Sequence, residues 1–362
     1  MYSRNYRLPR EEQHIHCDKL NSLSIFNDKI LFKKHNHKIN HIDLKKNLLM
    51  TSGDDDLIII IDLKILKYIE VYYDIINGTK YSKFLQPLST NIIYYGYKSF
   101  RLYIYDFIKK EILTVVNLLR DDLTHFEYNN KSNLLITTQL NDSIVWQLQD
   151  KKLSPEFNIK NSYYSIINDN KQQIISCSKT ANCFDSLNDK NEYSTIIIYK
   201  YDINRILDIS KERILNYQFG YDIKSMGFFK NYEGYLLIVM SEFSIEIIDL
   251  ENNDTKISEI NLIKNMNLKF TCFEPAFTKE IIVGYNNGDV EFYNLLNNDK
   301  NIKSRIDNKY NNEQKISKLI EEIKNNEIRH QNSVVQIKIS NYYPLYVSIS
   351  DEIIIYQFKN NN

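Results

Sequence analysis

Ile58-Ile59-Ile60-Ile61-Asp62 is an uninterrupted run of β-branched residues that ends in an aspartate. Such runs, bounded by turn-forming residues, predict a β-strand. The same arrangement, in which apolar or aromatic residues are followed by a polar terminator, recurs along the chain. The seven terminators are Asp62, Asp106, Gln147, Asp202, Asp249, Asn294 and Gln357. A marker repeated in this way indicates a protein built from structural repeats.

The spacing of the terminators identifies the kind of repeat. Successive steps are 44, 41, 55, 47, 45 and 63 residues, and most lie close to the roughly 40–45-residue period of a WD40 blade. We therefore predict an all-β fold, a seven-bladed WD40-type β-propeller over residues 21–362, preceded by a flexible leader at residues 1–20. The two longest steps predict insertions at about 179–194 and 297–329.

Each terminator follows two further strand candidates, as expected for a four-stranded blade. In the first repeat we predict strands a, b and c at 39–44, 48–52 and 57–62, with the outer strand d at 66–72. The chain ends shortly after the seventh strand c. An extra strand predicted at 22–33 would complete the last blade, so that the ring closes without an exposed edge.

The second insertion contains a helical pattern of apolar residues. Ile316, Leu319, Ile320 and Ile323 recur at i, i+3, i+4 and i+7, which predicts an amphipathic helix near residues 313–328. We expect its apolar stripe to pack on the propeller, because helix stripes usually bury against their own domain. The alternative is a docking helix for a partner protein.

The overall charge balance is neutral, with 46 Lys and Arg against 46 Asp and Glu. A neutral balance gives no general attraction to nucleic acid or to a membrane surface. The chain has four cysteines, no secretory signal pattern and no apolar run of membrane-spanning length. We therefore expect a soluble intracellular protein with reduced thiols. Cys177 and Cys272 fall in predicted strands and are expected in the core.

Motifs that would indicate catalysis are missing from the sequence. It has no phosphate-binding Gly-rich loop, no HExxH, no GxSxG and no CxxC. The acidic residues 54–56 lie in a predicted b–c turn, where such side chains usually accept hydrogen bonds from backbone amides. Two groups resemble metal ligands in composition: His14, His16 and Cys17, and His35, His37 and His41. Metal sites usually combine ligands from separated segments, so we predict no metal, no cofactor and no enzymatic activity.

A structural role is more fitting for one of these histidines. In WD40 blades, a histidine before strand a hydrogen-bonds a Ser or Thr in strand b, which is linked to an Asp in the b–c turn. We predict that His37, Ser52 and Asp55 form this network in the first blade. His330 stands at the equivalent place before the seventh strand a.

Several blocks of sequence resemble one family of propellers. They are residues 38–43 (KINHID), 51–58 (TSGDDDLI), 272–275 (CFEP), 282–284 (IVG), 287–290 (NGDV) and 330–335 (HQNSVV). The first two are similar to the first blade of the WD-repeat protein 82 family, and the others to its last two blades. That family comprises the small WD40 subunits of COMPASS-type histone lysine methyltransferases, and its fungal counterpart also belongs to the cleavage-and-polyadenylation factor.

The resemblance implies a nuclear, non-catalytic scaffold that acts in chromatin modification and transcription. Its expected partners are a SET-domain methyltransferase and other WD40 subunits, with no sequence-specific binding of nucleic acid and no membrane. Partner contacts are expected from the d–a and b–c loops of one face. The candidate residues there are Lys38, Lys80, Asp121, Asp222 and Asn332.

Three alternatives remain open at the level of sequence. The first is a WD40 scaffold of an mRNA cleavage and polyadenylation complex or of another complex. The second is a phosphoinositide-binding propeller, although Phe100-Arg101-Leu102 lacks the second Arg and the Gly of the Phe-Arg-Arg-Gly motif of that class. The third is a propeller enzyme, which predicts carboxylates, histidines or metal ligands that converge in the central channel.

Overall fold

The structure is a computed structural model that describes most of the chain between residues 24 and 357. The described ranges are 24–26, 29–32, 35–65, 67–73, 79–85, 90–119, 121–181, 192–202, 205–215, 219, 221–229, 235–262, 267–275, 280–294, 330–339, 345–350 and 352–357. The predicted leader at 1–20, the predicted insertion at 297–329 and its predicted helix at 313–328 lie outside these residues.

Seven antiparallel sheets form a seven-bladed β-propeller, which confirms the predicted fold class. Blade 1 comprises β3 (Ile39–Lys45), β4 (Leu48–Gly53), β5 (Leu57–Asp62) and β6 (Lys67–Tyr73). Blade 2 comprises β7 (Thr79–Phe84), β8 (Asn91–Gly96), β9 (Arg101–Asp106) and β10 (Glu111–Asn117). Blade 3 comprises β11 (His125–Asn129), β12 (Leu134–Gln139), β13 (Asp142–Gln149) and β14 (Lys152–Ile159). Within each blade the strands pair in chain order from innermost to outermost.

The remaining blades follow the same order. Blade 4 comprises β15 (Ser162–Asn168), β16 (Gln173–Ala181), β17 (Glu192–Asp202) and β18 (Arg205–Ile214). Blade 5 comprises β19 (Ser225–Phe228), β20 (Leu236–Met240), β21 (Ser244–Asp249) and β22 (Thr255–Asn261). The described strands of blade 6 are β23 (Phe270–Pro275), β24 (Glu280–Tyr285) and β25 (Val290–Asn294). Blade 7 contains β26 (Gln336–Ile339), β27 (Leu345–Ile349) and β28 (Ile353–Gln357).

The ring is closed by the N-terminal part of the chain. β2 (Lys29–Phe32) pairs antiparallel with β28, from Lys29 opposite Tyr356 to Phe32 opposite Ile353. β1 (Ser24–Phe26) then adds to β2 as the outermost strand of a five-stranded sheet. The predicted closure of the last blade is thus confirmed, although the segment predicted as one strand at 22–33 forms two. A blade shared by both parts of the chain leaves no strand edge open where the ring joins.

Burial follows the layered arrangement of the blades. Strand b of blade 5, Leu236–Met240, is buried at every position. The outer strand β10 of blade 2, in contrast, is exposed or half-buried at every position. The middle strands are covered on both faces because each blade packs between two neighbours. Between blades 7 and 1, for example, Ile349 and Ile353 pack in one core cluster with Leu49.

The terminators are used to make the c–d turns. Asp62 Oδ1 accepts a hydrogen bond from Lys64 N at 2.8 Å, and Asp106 Oδ1 accepts bonds from Ile108 N and Lys109 N at 3.0 Å each. An aspartate that accepts from backbone amides two or three residues ahead stabilises a turn. The apolar run with its polar terminator therefore corresponds to a c–d turn that recurs from blade to blade.

In blade 4, the residue at the terminator position is Lys200 and not Asp202. Gln173 begins strand b of this blade and pairs with Lys200, as Leu48 pairs with Asp62 in blade 1. The predicted insertion at 179–194 is also shorter than expected. β16 and β17 extend into it and pair as far as Ala181 opposite Glu192, while residues 182–191 lie outside the described residues.

Cys177 and Cys272 are buried in strands, as predicted. In the described part of the chain, no helix is long and apolar enough to cross a membrane.

Candidate functional site

The first blade contains the predicted hydrogen-bond network, but with different residues. His35 Nε2 lies 2.8 Å from Thr51 Oγ1, and His35 Nδ1 lies 2.8 Å from Asp55 Oδ1. Asp55 Oδ2 also accepts a bond from Asn36 N at 2.8 Å. Gly53 allows the close approach, because a Cβ atom there would lie 2.9 Å from His35 Nδ1. The network ties the segment before strand a to strand b and to the b–c turn.

Two of the predicted residues are therefore corrected. His37 is exposed, and Ser52 is buried with no hydrogen-bond partner for its Oγ among the described residues. Neighbouring residues of a strand point to opposite faces, so Thr51 faces His35 and Ser52 cannot. The spacing alone did not identify the correct histidine, because His330 precedes its strand-b serine by 18 residues whereas His35 precedes Thr51 by 16.

The environment of Asp55 favours its charged form. Burial by itself raises the pKa of this carboxyl, but the hydrogen bond and charge of His35 and the amides of Asn36 and Leu57 outweigh it. The pKa of Asp55 is consequently lowered. The carboxylate therefore helps to hold the first blade together at neutral pH.

Blades 7 and 3 contain related parts of the network. His330 Nε2 lies 2.7 Å from Ser348 Oγ, and His330 Nδ1 lies 3.7 Å from Glu352 Oε1. In blade 3, Trp146 Nε1 donates to Thr137 Oγ1 at 2.8 Å. The strand-b hydroxyls of Ser348 and Thr137 are thereby hydrogen-bonded inside these blades.

A cluster of buried hydroxyls occupies the junction between blades 3 and 4. Ser143 Oγ lies 2.7 Å from Thr138 Oγ1 and 2.8 Å from Ser162 Oγ. Ser162 Oγ in turn lies 2.8 Å from Ser165 Oγ and 2.7 Å from Ser176 Oγ. All are fully buried, and hydroxyls that both donate and accept satisfy one another. The cluster joins two blades without a histidine.

Charged side chains of the innermost strands meet around the central channel. Lys338 Nζ of β26 donates to Glu274 Oε2 of β23 at 2.8 Å. Lys83 Nζ of β7 lies 3.5 Å from Asp43 Oδ1 of β3, and Asp43 Oδ2 accepts from Phe84 N at 2.9 Å. Each of these contacts joins one blade to the next, so the charged side chains stabilise the packing between neighbouring blades.

Hydrogen bonds, and at one junction apolar packing, connect the innermost strands of the other neighbouring blades. Gln336 Oε1 of blade 7 accepts from Ile42 N of blade 1 at 2.8 Å. Glu127 Oε1 of blade 3 accepts from Ile167 N of blade 4 at 3.2 Å. The further ties are Tyr81 Oη to Thr124 O between blades 2 and 3, Tyr164 Oη to Ser225 Oγ between blades 4 and 5, and the packing of Gly227 against Phe273 between blades 5 and 6. Every junction of the ring is therefore crossed by a contact of its innermost strands.

His41 is the buried histidine of this channel. Burial lowers the pKa of His41 well below its ordinary value, and the positive charges of Lys83 and Lys338 lower it further. Its ring meets that of Tyr81 edge-on at 5.7 Å between centroids. Nδ1 of His41 has no hydrogen-bond partner among the described residues. The imidazole is consequently neutral at pH 7 and packs as an aromatic side chain.

The carboxylates of the innermost strands are each paired with a basic side chain in the channel. Asp43 and Glu274 are each paired with a lysine of the next blade. Glu127 Oε2 lies 3.6 Å from His125 Nε2 of its own strand. Within the described ranges, no group of three or more His, Cys, Asp and Glu side chains could hold a metal ion. The pairs formed by Asp43 and Glu274 connect neighbouring blades.

The predicted partner-facing residues lie on the face formed by the d–a and b–c loops. Lys38, Asp222 and Asn332 are exposed there, and Asp121 is half-buried. Lys80 differs from the prediction because it lies in β7 and donates to Asp122 Oδ2 at 2.6 Å and to Leu123 O at 2.9 Å. A lysine held by these two acceptors is a tie between blades 2 and 3.

The segment compared with the phosphoinositide motif offers one cation. Arg101 is exposed and its Nε donates to Asn117 Oδ1 at 2.8 Å, whereas Leu102 is fully buried. The place of the motif's second arginine is thus occupied by a core residue. This geometry disfavours a lipid headgroup site at residues 100–102.

The chain matches no protein-family model, and a search of curated proteins finds no significant match.

Proposed function

We propose that this propeller is a non-catalytic scaffold subunit of a COMPASS-like histone lysine methyltransferase complex in the nucleus. One observation carries most weight. The block at 51–58, which resembles the family's first blade, supplies Thr51 and Asp55 to the network around His35. The residues behind the resemblance thus have a defined structural task of the WD40 type.

The physical properties of the ring support a scaffold role. Every junction between blades is tied, and the middle strands are buried, so the loops stand on a rigid support. Loops on a rigid ring vary in sequence at little cost to the fold, which suits a surface that selects partners. The expected partners are a SET-domain methyltransferase and other WD40 subunits.

Affinity purification tests the proposal directly. The endogenous chain is tagged and purified from nuclear extract, and co-purifying proteins are identified by quantitative mass spectrometry. Recovery of a SET-domain methyltransferase with other propeller subunits supports the proposal. Recovery of cleavage and polyadenylation factors alone assigns the scaffold to the alternative complex. Recovery of only cytoplasmic or membrane-associated partners contradicts both assignments.

A variant of the protein makes this comparison sharper. His35→Ala removes the first-blade network, whereas His37→Ala changes an exposed histidine two residues away. Loss of the same subunits with His35→Ala, and their retention with His37→Ala, would show that recovery depends on the folded first blade. Equal recovery with both variants would show that the first blade is not required.

A further inference from the structure

Two large apolar residues adopt a backbone conformation that apolar residues rarely adopt. Thirteen non-glycine residues of the described chain have positive φ, and all but two are Asn, Asp, Lys or Gln. The exceptions are Phe100, with φ of 53°, and Leu140, with φ of 50°. Both lie in b–c turns, of blades 2 and 3, and so on the same face of the ring. Left-handed backbone is unfavourable for bulky side chains.

Leu140 occupies a turn that would favour another residue. The two-residue turn between β12 and β13 has φ of 50° at Leu140 and 64° at Asn141. Positive φ at both positions defines a type I′ turn, which favours Asn or Asp followed by Gly. The Leu140 side chain is nevertheless 66% exposed. It therefore gains little from burial and occupies a strained position.

A second exposed leucine lies next to this turn. Leu119, in the d–a segment between blades 2 and 3, is 59% exposed. Its carbonyl accepts from Gln139 Nε2 at 3.3 Å, which places it beside Leu140, and Leu118 N donates to Phe100 O at 2.9 Å. Phe100, Leu119 and Leu140 thus lie on neighbouring loops of one face, and we call these three residues the apolar rim.

We propose that the apolar rim is the docking surface for a short segment of a partner protein, in which two apolar side chains are followed by a Lys or Arg. This rests on the proposed scaffold function and names the surface that it uses. An exposed leucine in a strained turn, such as Leu140, does not help the chain to fold. Strain of this kind concentrates at functional positions, where another interaction requires it.

The size of the rim favours a short segment over a second copy of the chain. A stable interface between two proteins buries roughly 800 Å² on each partner, and two leucines with one half-buried phenylalanine offer much less. A few apolar anchors in a small patch carry most of the affinity of a peptide. The rim is suited to one or two such anchors.

The charges beside the rim favour a basic residue in the partner. Asp121 follows Leu119 by two residues, and the hydrogen bond that its carboxylate accepts among the described residues comes from Asp122 N at 2.8 Å. Lys80, on the innermost strand of blade 2, is engaged with Asp122. Arg101 is directed to Asn117. A Lys or Arg placed next to the apolar anchors would complement the Asp121 carboxylate.

A matched pair of variants tests the proposal on the full chain. Leu119→Ser/Leu140→Asn removes the apolar rim and places the preferred residue in the I′ turn. Ile65→Ser/Ile108→Ser is the control, because these isoleucines are 57% and 62% exposed in c–d turns of the opposite face. Neither pair is buried, so both proteins are expected to fold. Leu140→Asn alone is expected to raise the melting temperature, since Asn tolerates left-handed backbone.

The probe is a displayed library of random 12-residue peptides selected on the wild-type chain. Selected peptides are expected to share two apolar residues followed by Lys or Arg. Their affinity, measured by fluorescence polarisation, is expected to fall about thirtyfold or more with Leu119→Ser/Leu140→Asn and to stay unchanged with Ile65→Ser/Ile108→Ser. Asp121→Asn is expected to weaken binding about threefold.

Other outcomes would overturn the proposal. Peptides that bind both double variants equally, or an enriched motif that is acidic, would show that the rim does not recognise such a segment. A wild-type dimer in light scattering that becomes monomeric with Leu119→Ser/Leu140→Asn would assign the rim to self-association. The scaffold function is tested separately, by affinity purification of Leu119→Ser/Leu140→Asn. If this variant recovers the same subunits as the wild type, the scaffold function stands and the rim is not required for it.

Discussion

Lys338 Nζ lies 2.8 Å from Glu274 Oε2, and this ion pair joins the innermost strands of the last two blades. Glu274 is almost fully buried, with 8% of its side chain exposed, and Lys338 is 25% exposed. Burial lowers the pKa of Lys338, but the Glu274 carboxylate outweighs burial and the net shift is upward. The charge of Lys338 is therefore maintained by its partner.

Removing one member of this pair is expected to destabilise the ring. Glu274→Gln leaves a largely buried ammonium without its carboxylate, which is expected to lower the free energy of unfolding by about 3 kcal/mol. The measurement is urea unfolding followed by the fluorescence of Trp146, the one tryptophan of the chain. Glu259→Gln is the control, because its pair with Lys256 is exposed on the outer strand of blade 5 and is expected to contribute less than about 1 kcal/mol. Equal effects of the two substitutions would contradict a special role for the channel pair.

The first-blade network predicts different outcomes for two nearby histidines. His35→Ala leaves the buried Thr51 hydroxyl and the Asp55 carboxylate without their partner, and is expected to cost about 2 kcal/mol of stability. His37→Ala alters an exposed side chain and is expected to change stability by less than about 0.5 kcal/mol. Both variants are compared by urea unfolding at pH 7.5. A larger loss of stability with His37→Ala than with His35→Ala would indicate that His37, and not His35, forms the network.

His41 predicts a dependence of stability on pH. Its pKa is lowered in the folded protein, so the unfolded chain binds a proton first as pH falls below about 6.5. The stability contributed by neutral His41 is present above that pH, and it is lost as pH falls toward the folded pKa. The loss is at most about 1.4 kcal/mol per pH unit for one proton.

His41→Gln isolates this contribution from those of other groups. Urea unfolding of the wild type and the variant is measured at pH 7.5, 6.5 and 5.5. The difference in stability between the two proteins is expected to shift in favour of the variant as pH falls. A constant difference would show that His41 titrates alike in the folded and unfolded chains.

The strands that close the ring predict the effect of a truncation. Deletion of residues 1–34 removes β1 and β2 and leaves the edge of β28 unpaired, in place of the pairs from Lys29–Tyr356 to Phe32–Ile353. An open edge lowers stability and promotes association between strands. We expect a lower melting temperature and aggregation in light scattering. Deletion of residues 1–20, the predicted leader, is the control and is expected to leave both unchanged.

Much of the blade architecture was predictable because it is local. The strands predicted at 39–44, 48–52 and 57–62 are observed as β3, β4 and β5, with ends that differ by no more than one residue. β-branched runs and polar turn residues act over a few positions, so their pattern indicates strands directly. The misplaced terminator in blade 4 has the same origin, since an Asp two residues beyond Lys200 resembles the marker equally well.

The site was predictable only in part because it depends on contacts between distant residues. His35 and His37 both precede the first strand, but only the path of the backbone decides which ring reaches Thr51, 16 residues further on. The apolar rim could not be predicted either. Leu119 and Leu140 are unremarkable in the sequence, and their exposure and backbone conformation become visible only in the folded chain.

The sequence by itself determined that the chain forms short strands in seven groups, in a stated order, with a strand left over at the N-terminus to complete the last group. Periodicity and terminators carry that information because they act locally. Only the tertiary structure decided which side chains tie neighbouring blades and which face solvent. Asp43 and Lys83 are 40 residues apart in the chain, and they meet because closing the ring brings successive innermost strands together around one axis.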